Sequence, residues 1–279
     1  MQRSVAVVDS VGMLEFSAVS PGALGLRWAR PLYLAGRIPA VPKVAVIGSR
    51  ASRRRFMACV PGVIEALSLS GMALVSGGAV GIDACAHRAA VRVGLPQIAV
   101  LPGPPDALYP ADHIPLFQEI VQAGGAVVCP HPPGAGLRRG MFSSRNQLVV
   151  QLASHVVAIE AGARSGTQGT LALALRTDVP VCGVVGTAGV AWALERGARS
   201  LGPPDPPGVQ ARLTEALHGL GGVEVWPPEL RALQSILDRQ SAATVDDFDD
   251  PLAGAVALTE AEAGGWVTEA APGRYVRAR

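Results

Sequence analysis

The sequence predicts an α/β protein built on an extended, doubly wound and mainly parallel sheet, with a small C-terminal module appended. Three observations carry this reading. Six short apolar runs, at 44–47, 73–76, 98–101, 126–129, 156–159 and 181–185, alternate with helix-compatible segments. Runs of this kind mark strands buried on both faces, and their alternation with helices implies βαβ crossovers. Glycine-rich turns follow the first two runs, as Gly48-Ser49-Arg50 and Gly77-Gly78. Right-handed crossovers collect such turns along one edge of a Rossmann-like sheet. Beyond Pro227-Pro228 the composition changes, and helix-like segments precede a terminal hairpin pattern.

Residues 1–42 form an N-terminal extension in which Pro21, Gly22, Pro31 and Pro39 separate short pieces such as Leu32-Tyr33-Leu34. No independent domain is expected there. Residues 43–201 form the Rossmann-like domain, with a helix-like stretch ending near Ser70 and another from about Asp83 to Val93. Residues 202–228 are a connecting segment, and the proline-rich stretch 202–209 reads as a linker or stiff loop. Residues 229–279 read as a winged-helix-like module. Leu230, Leu233, Ile236 and Leu237 give 229–240 an apolar face, and 252–263 supplies a second helix. Trp266-Val267-Thr268, the Pro272-Gly273 turn and Tyr275-Val276 then suggest a β-hairpin. A tail packed on the main domain is the alternative.

Hydrophobic residues are 49% and charged residues 16%, which excludes a disordered chain. The formal net charge of +2 excludes a uniformly basic polyanion binder. The charge is unevenly divided, however. Residues 229–279 hold five basic and nine acidic groups, a net of −4, leaving +6 on residues 1–228. All but one of the 24 cations are arginine, Lys43 being the exception, so nearly every positive charge carries a planar fork suited to phosphate. Cys59, Cys85, Cys129 and Cys182 lie far apart, so neither a disulfide framework nor a zinc site is expected. No carboxylate cluster has metal-ligand spacing, and no cofactor is expected. The N-terminus lacks the long apolar core of a signal peptide, and no run spans a bilayer. The expected location is cytoplasmic.

Three turns carry the candidate chemistry. In Gly48-Ser49-Arg50-Ala51-Ser52, glycine allows a tight turn into a helix N-terminus, whose free N–H groups attract anions. Ser52 serves equally well as a plain helix cap. In the second turn, Gly77, Gly78 and Gly81 allow close backbone approach, and Asp83 is placed as an N-cap with His87 one helical turn on. A lone helical histidine is more often structural than catalytic. The third region brings Arg145 and Asn146 together with Arg164-Ser165-Gly166-Thr167, another helix start. Phe142 and Tyr109 are candidate stacking platforms, with core packing as the plainer role.

Taken in order, these motifs resemble the DNA-processing protein A family (DprA/Smf). The likeness rests on Gly48-Ser49-Arg50-x-Ser52, the stretch from Ser76-Gly77 to Gly81-Ile82-Asp83 and Ala86-His87, Tyr109-Pro110, Phe142-x-x-Arg145-Asn146, and Glu160-Ala161 followed by Ser165-Gly166. It spans about residues 30–190 and starts with Leu32-Tyr33-Leu34-Ala35-Gly36. The resemblance implies a non-enzymatic protein that binds single-stranded DNA, forms a homodimer and helps load RecA recombinase during natural transformation. The chain departs from the family pattern at Val80 and Gln147, where arginine is usual. Arg53, Arg54, Arg55, Arg138 and Arg139 are candidates to compensate. The family's usual N-terminal helical module is absent or reduced to a remnant.

Two other readings use the same fold. One is a nucleotide-binding sensor, for which the anion turns fit equally well. The other is a nucleotide phosphoribohydrolase of the LOG type, whose glycine-threonine signature the stretch from Ser165 to Thr170 resembles. The carboxylate that should follow is missing from 171–175, leaving only Asp83 and Glu160 nearby.

Overall fold

The computed structural model describes residues 4–5 and 14–218 and, beyond them, residues 233, 236–237, 240, 242–248, 250–263 and 267–277. Each of the six apolar runs forms a strand: β4 (Lys43–Gly48), β5 (Ala73–Ser76), β6 (Gln97–Val100), β7 (Ala126–Cys129), β8 (His155–Glu160) and β9 (Val181–Gly183). All six pair in parallel, in the spatial order β7-β6-β5-β4-β8-β9, and β10 (Arg199–Ser200) extends the sheet beside β9. Side chains alternate between two cores. Val44 and Val46 pack into one with Val157 and Ile159, and Ala45 and Ile47 into the other with Val156 and Ala158. Burial on both faces explains why these strands read as unbroken apolar runs.

Helices α1 (Arg54–Met57), α2 (Val60–Leu69), α3 (Ile82–Arg92), α4 (Ile114–Gln122), α5 (Gly140–Leu152), α6 (Gly166–Arg176) and α7 (Ala188–Leu194) connect the strands. The chain runs from β4 outward to β7, returns through α5, and places β8 on the other side of β4. That reversal opens a crevice at the carboxyl ends of β4 and β8, where α/β sheets hold ligands.

The sheet does not begin at Lys43. β1 (Ser4–Val5), β2 (Phe16–Val19) and β3 (Leu32–Gly36) continue it antiparallel beyond β7, giving the order β1-β2-β3-β7. β2 and β3 show little sequence pattern because they are mostly half-exposed; Phe16, Leu32 and Ala35 are their buried apolar anchors.

The segment read as a linker is also different. α8 (Pro206–His218) occupies it, with Val209, Leu213, Ala216 and Leu217 buried in the core that also contains α2 residues. Asp205 caps this helix by accepting from the Gly208 N–H at 3.1 Å, and a proline follows at the first helical position. Proline there starts a helix rather than breaking one.

The chain divides into two compact units, Met1–Val223 and Glu224–Arg279. In the second, α9 (Pro251–Ala263) precedes the antiparallel pair β11 (Val267–Ala271) and β12 (Arg274–Arg277). The helix expected over 229–240 lies mostly outside the described residues; Leu233, Ile236 and Leu237 are described, helical and buried. The winged-helix reading depends on that segment. Among the described residues no helix is long and apolar enough to cross a membrane.

Candidate nucleic-acid interface

The crevice holds a cavity of about 710 Å³. Its walls come from the turn after β4 (Gly48, Ser49, Arg50, Ala51), the turn after β5 (Gly77, Ala79) with Asp83, the inner face of α5, and the start of α6. Three hydrogen bonds stitch these pieces together. Ile82 N–H donates to Ser49 O at 3.2 Å, Thr167 Oγ1 donates to Gly48 O at 3.1 Å, and Arg145 Nη1 donates to Gly77 O.

Two glycines are required by close approach. A Cβ on Gly77 would collide with the Arg145 guanidinium and lie 2.7 Å from Asp83 Oδ2. Gly81 adopts φ +86°, and a Cβ there would lie 2.8 Å from the Arg50 Cα.

Of the sequence-predicted residues, Gly48, Ser49, Arg50, Gly77, Arg145, Asn146, Ser165, Gly166 and Thr167 line the cavity. Ser165 caps α6, accepting from the Gln168 N–H at 3.1 Å, so the helix N-terminus opens at the cavity wall. Ser52, Gly78, Gly81 and Arg164 lie outside the lining. Ser52 is not the helix cap, since Arg53 occupies that position; its hydroxyl donates to Glu160 Oε2 at 2.6 Å. Gly78 is buried, its carbonyl accepting from His113 Nδ1 at 2.9 Å. Arg164 is exposed at φ 53°, its N–H donating to Gln168 Oε1.

Arg145 sits differently from the free cation that the sequence suggests. It is buried, donates through Nη1 to the carbonyls of Gly77 and Val100 (the latter at 3.2 Å), and lies 4.0 Å from Asp83 Oδ2. Asp83 is not the N-cap, a position taken by Gly81. Its carboxylate instead accepts from the Ala79 N–H at 3.4 Å. Burial pushes the Asp83 carboxyl above the usual range, with Arg145 pulling it back down. His87 is fully buried against Gln97, Nδ1 to Oε1 at 2.7 Å, and burial lowers its pKa to about 4. It does not reach the cavity.

The accessible cations are Arg50 and Arg139, both exposed and both in the lining. The Arg50 guanidinium lies 5.2 Å from the centroid of the Phe142 ring, and Tyr109 meets that ring edge-on at 5.7 Å. Arginine over an aromatic face is a contact that an unpaired base can extend by stacking. Arg53 is largely drawn off by an ion pair with Glu160 at 2.6 Å. Val80 and Gln147 are exposed and outside the lining. Ile47, Ala51, Val149, Gly162 and Thr170 complete the wall, and of these the threonine alone carries a polar side chain. Among the described residues no cluster of His, Cys, Asp or Glu is placed to hold a metal ion.

A family model described as DNA recombination-mediator protein A matches residues 28–201. The chain belongs to this family. It is 34% identical over 221 residues to a DNA processing protein DprA of Mycobacterium tuberculosis, covering 73% of this chain and 55% of that one. It is 30% identical over 275 residues to protein Smf of Escherichia coli, covering 89% and 71% respectively. The chain thus spans little more than half the length of the mycobacterial relative. A solved DprA from Streptococcus pneumoniae superposes with TM-score 0.58 at 29% identity, over 65% of this chain and 66% of that one. One from Helicobacter pylori, described with its single-stranded DNA binding mode, gives 0.63 at 25% identity over 74% and 97%. The family match begins at Trp28, ahead of β3, in keeping with the sheet's extension past the Rossmann-like core.

Proposed function

We propose that this chain is a single-stranded DNA-binding recombination mediator acting in the cytoplasm as a homodimer, and that it passes the bound strand to RecA recombinase. Binding involves no bond cleavage. The observation that carries this reading is the cavity at the sheet reversal, where Arg50, Arg139 and the α6 N-terminus converge beside the Phe142 ring. Backbone phosphates seat against the helix N-terminus and the two exposed arginines, while a base stacks at Phe142 and Tyr109. The family relationship and the Helicobacter pylori structure's described ligand support the same class of ligand.

The phosphoribohydrolase reading is weaker. Glu160 is tied to Ser52 and Arg53 outside the cavity, and Asp83 is the one carboxylate in the lining, held beneath Arg145. A nucleotide sensor is favoured by the cavity's size, which suits a single mononucleotide.

Salt titration of a thymidine oligomer separates these readings. For single strands the affinity falls with salt at a log–log slope of about −0.7 per neutralised phosphate, so Arg50→Ala lowers the slope's magnitude by about 0.7. Absence of binding at low salt, or an unchanged slope in Arg50→Ala, overturns the proposal. Tight binding of a mononucleotide favours the sensor, and release of free base the hydrolase.

A further inference from the structure

Glu160 stands outside the cavity, yet it grips the segment that carries Arg50. It ends β8 next to β4, where the pairing shifts so that Gly48 lies opposite Glu160. Its side chain is 8% exposed. Oε2 accepts from Ser52 Oγ at 2.6 Å and from the Arg53 N–H at 3.0 Å, while Oε1 accepts from Arg53 Nε at 2.6 Å. Burial pushes the carboxyl's pKa up, but the bonds from Ser52 and Arg53 outweigh it and hold the group below its ordinary value, ionised.

We propose that Glu160 is a positioning residue, which anchors the turn after β4 so that Arg50 is presented at the cavity mouth against Phe142. The inference rests on the single-stranded DNA reading above and adds to it how the turn is held. One carboxylate fixes a hydroxyl, a backbone amide and a guanidinium on two successive residues, just past the arginine. Its charge opposes that role: a carboxylate beside an anion site repels a polyanion. Electrostatics alone therefore predict that neutralising Glu160 raises DNA affinity, whereas positioning predicts a fall.

The sign of the effect decides. Fluorescence anisotropy with a labelled thymidine oligomer is measured for the full chain and for Glu160→Gln, Arg50→Ala, Arg139→Ala and the double variants. Glu160→Gln is expected to weaken binding about tenfold, since bonds to a charged acceptor are the strong ones. Arg50→Ala is then expected to cost much less in the Glu160→Gln background than alone, while Arg139→Ala costs the same in both. General destabilisation would not produce that selective coupling. Unchanged or tighter binding by Glu160→Gln, or full additivity with Arg50→Ala, overturns the proposal.

Amide exchange provides an arm independent of DNA: residues 50–53 exchange faster in Glu160→Gln, and no acceleration overturns the anchoring. If the wild-type chain binds no oligomer, the DNA reading fails while exchange still decides whether Glu160 holds the turn. Should Glu160→Gln fail to fold, Ser52→Ala removes one of the three bonds, with a loss of about threefold expected. Unchanged affinity and unchanged exchange in Ser52→Ala then count against the anchor.

Discussion

Replacing Arg145 by methionine tests whether its buried guanidinium is a structural clamp or a phosphate ligand. The side chain bridges α5 to the ends of β5 and β6, through the carbonyls of Gly77 and Val100, and faces Asp83 Oδ2 at 4.0 Å. At that separation two unit charges attract by about 4 kcal/mol for an effective dielectric near 20. Methionine refills much of the volume but leaves Asp83 without its counter-charge and the Gly77 and Val100 carbonyls without their donor. Breaking a buried pair from one side costs about 3–5 kcal/mol. With an m-value of about 3 kcal/mol/M in urea, the unfolding midpoint of the first unit drops by about 1–1.7 M.

The deficit also depends on pH. Burial already raises the Asp83 carboxyl's pKa, and losing Arg145 raises it further. A carboxyl with a raised folded pKa contributes stability below its unfolded value of about 3.9 and loses it as pH climbs through the folded value. The variant therefore weakens progressively above pH 4, and adding Asp83→Asn recovers part of the loss. Urea denaturation followed by tryptophan fluorescence, at pH 4.5 and 7.5, measures both effects. A midpoint shift under about 0.3 M at pH 7.5, with DNA affinity lost, would refute the clamp and make Arg145 a ligand.

Three further outcomes are expected. His87→Leu flattens the acid dependence of stability between pH 6.5 and 4, because a buried neutral histidine with a folded pKa of about 4 loses up to about 3 kcal/mol as pH falls through that window; urea midpoints at pH 7 and 4.5 check it. Leu213→Ala destabilises the first unit by about 2–5 kcal/mol, as a fully buried side chain in the α2–α8 core must; a linker residue would show no change in midpoint. Val80→Arg with Gln147→Arg, both at exposed positions, tightens oligomer binding and steepens the salt slope by up to about 1.4, two phosphates' worth; unchanged binding would place both positions off the strand's path.

The parallel strands were legible because burial on both faces removes polar residues from them. Val44-Ala45-Val46-Ile47 and Val156-Val157-Ala158-Ile159 feed two cores at once, so no alternation hides them. β2 and β3 escaped because an antiparallel margin with half-exposed residues such as Tyr33 and Leu34 keeps no such run. α8 escaped because prolines at 203–207 outweighed the i, i+4, i+7 and i+8 spacing of Val209, Leu213, Ala216 and Leu217. The turns of the candidate site were visible as glycine and serine after each strand. The setting of Arg145 was not, since its partners Gly77 and Val100 lie 68 and 45 residues away and nothing local marks the side chain as buried. Glu160 is visible in the sequence as a motif residue and a nearby carboxylate but not as an anchor, because its partners Ser52 and Arg53 lie more than 100 residues earlier.

The placement of the arginines changes what the charge division means. An excess of +6 on residues 1–228 reads as a polyanion surface only if the cations are free. Around this cavity, Arg145 is occupied by carbonyls and Asp83, and Arg53 by Glu160. Arg50 and Arg139 remain, reinforced by the α6 N-terminus, whose partial charge amounts to about half a unit. So few contacts predict a shallow salt slope, in which phosphate neutralisation supplies a modest part of the affinity and stacking at Phe142 and Tyr109 a larger one. Stacking requires unpaired bases, so a site weak in phosphate contacts discriminates more strongly between single strands and duplex than one ringed by arginine. On this argument Val80 and Gln147 shift the balance toward base contact, and their arginine replacements should narrow the preference for single strands even as they raise affinity.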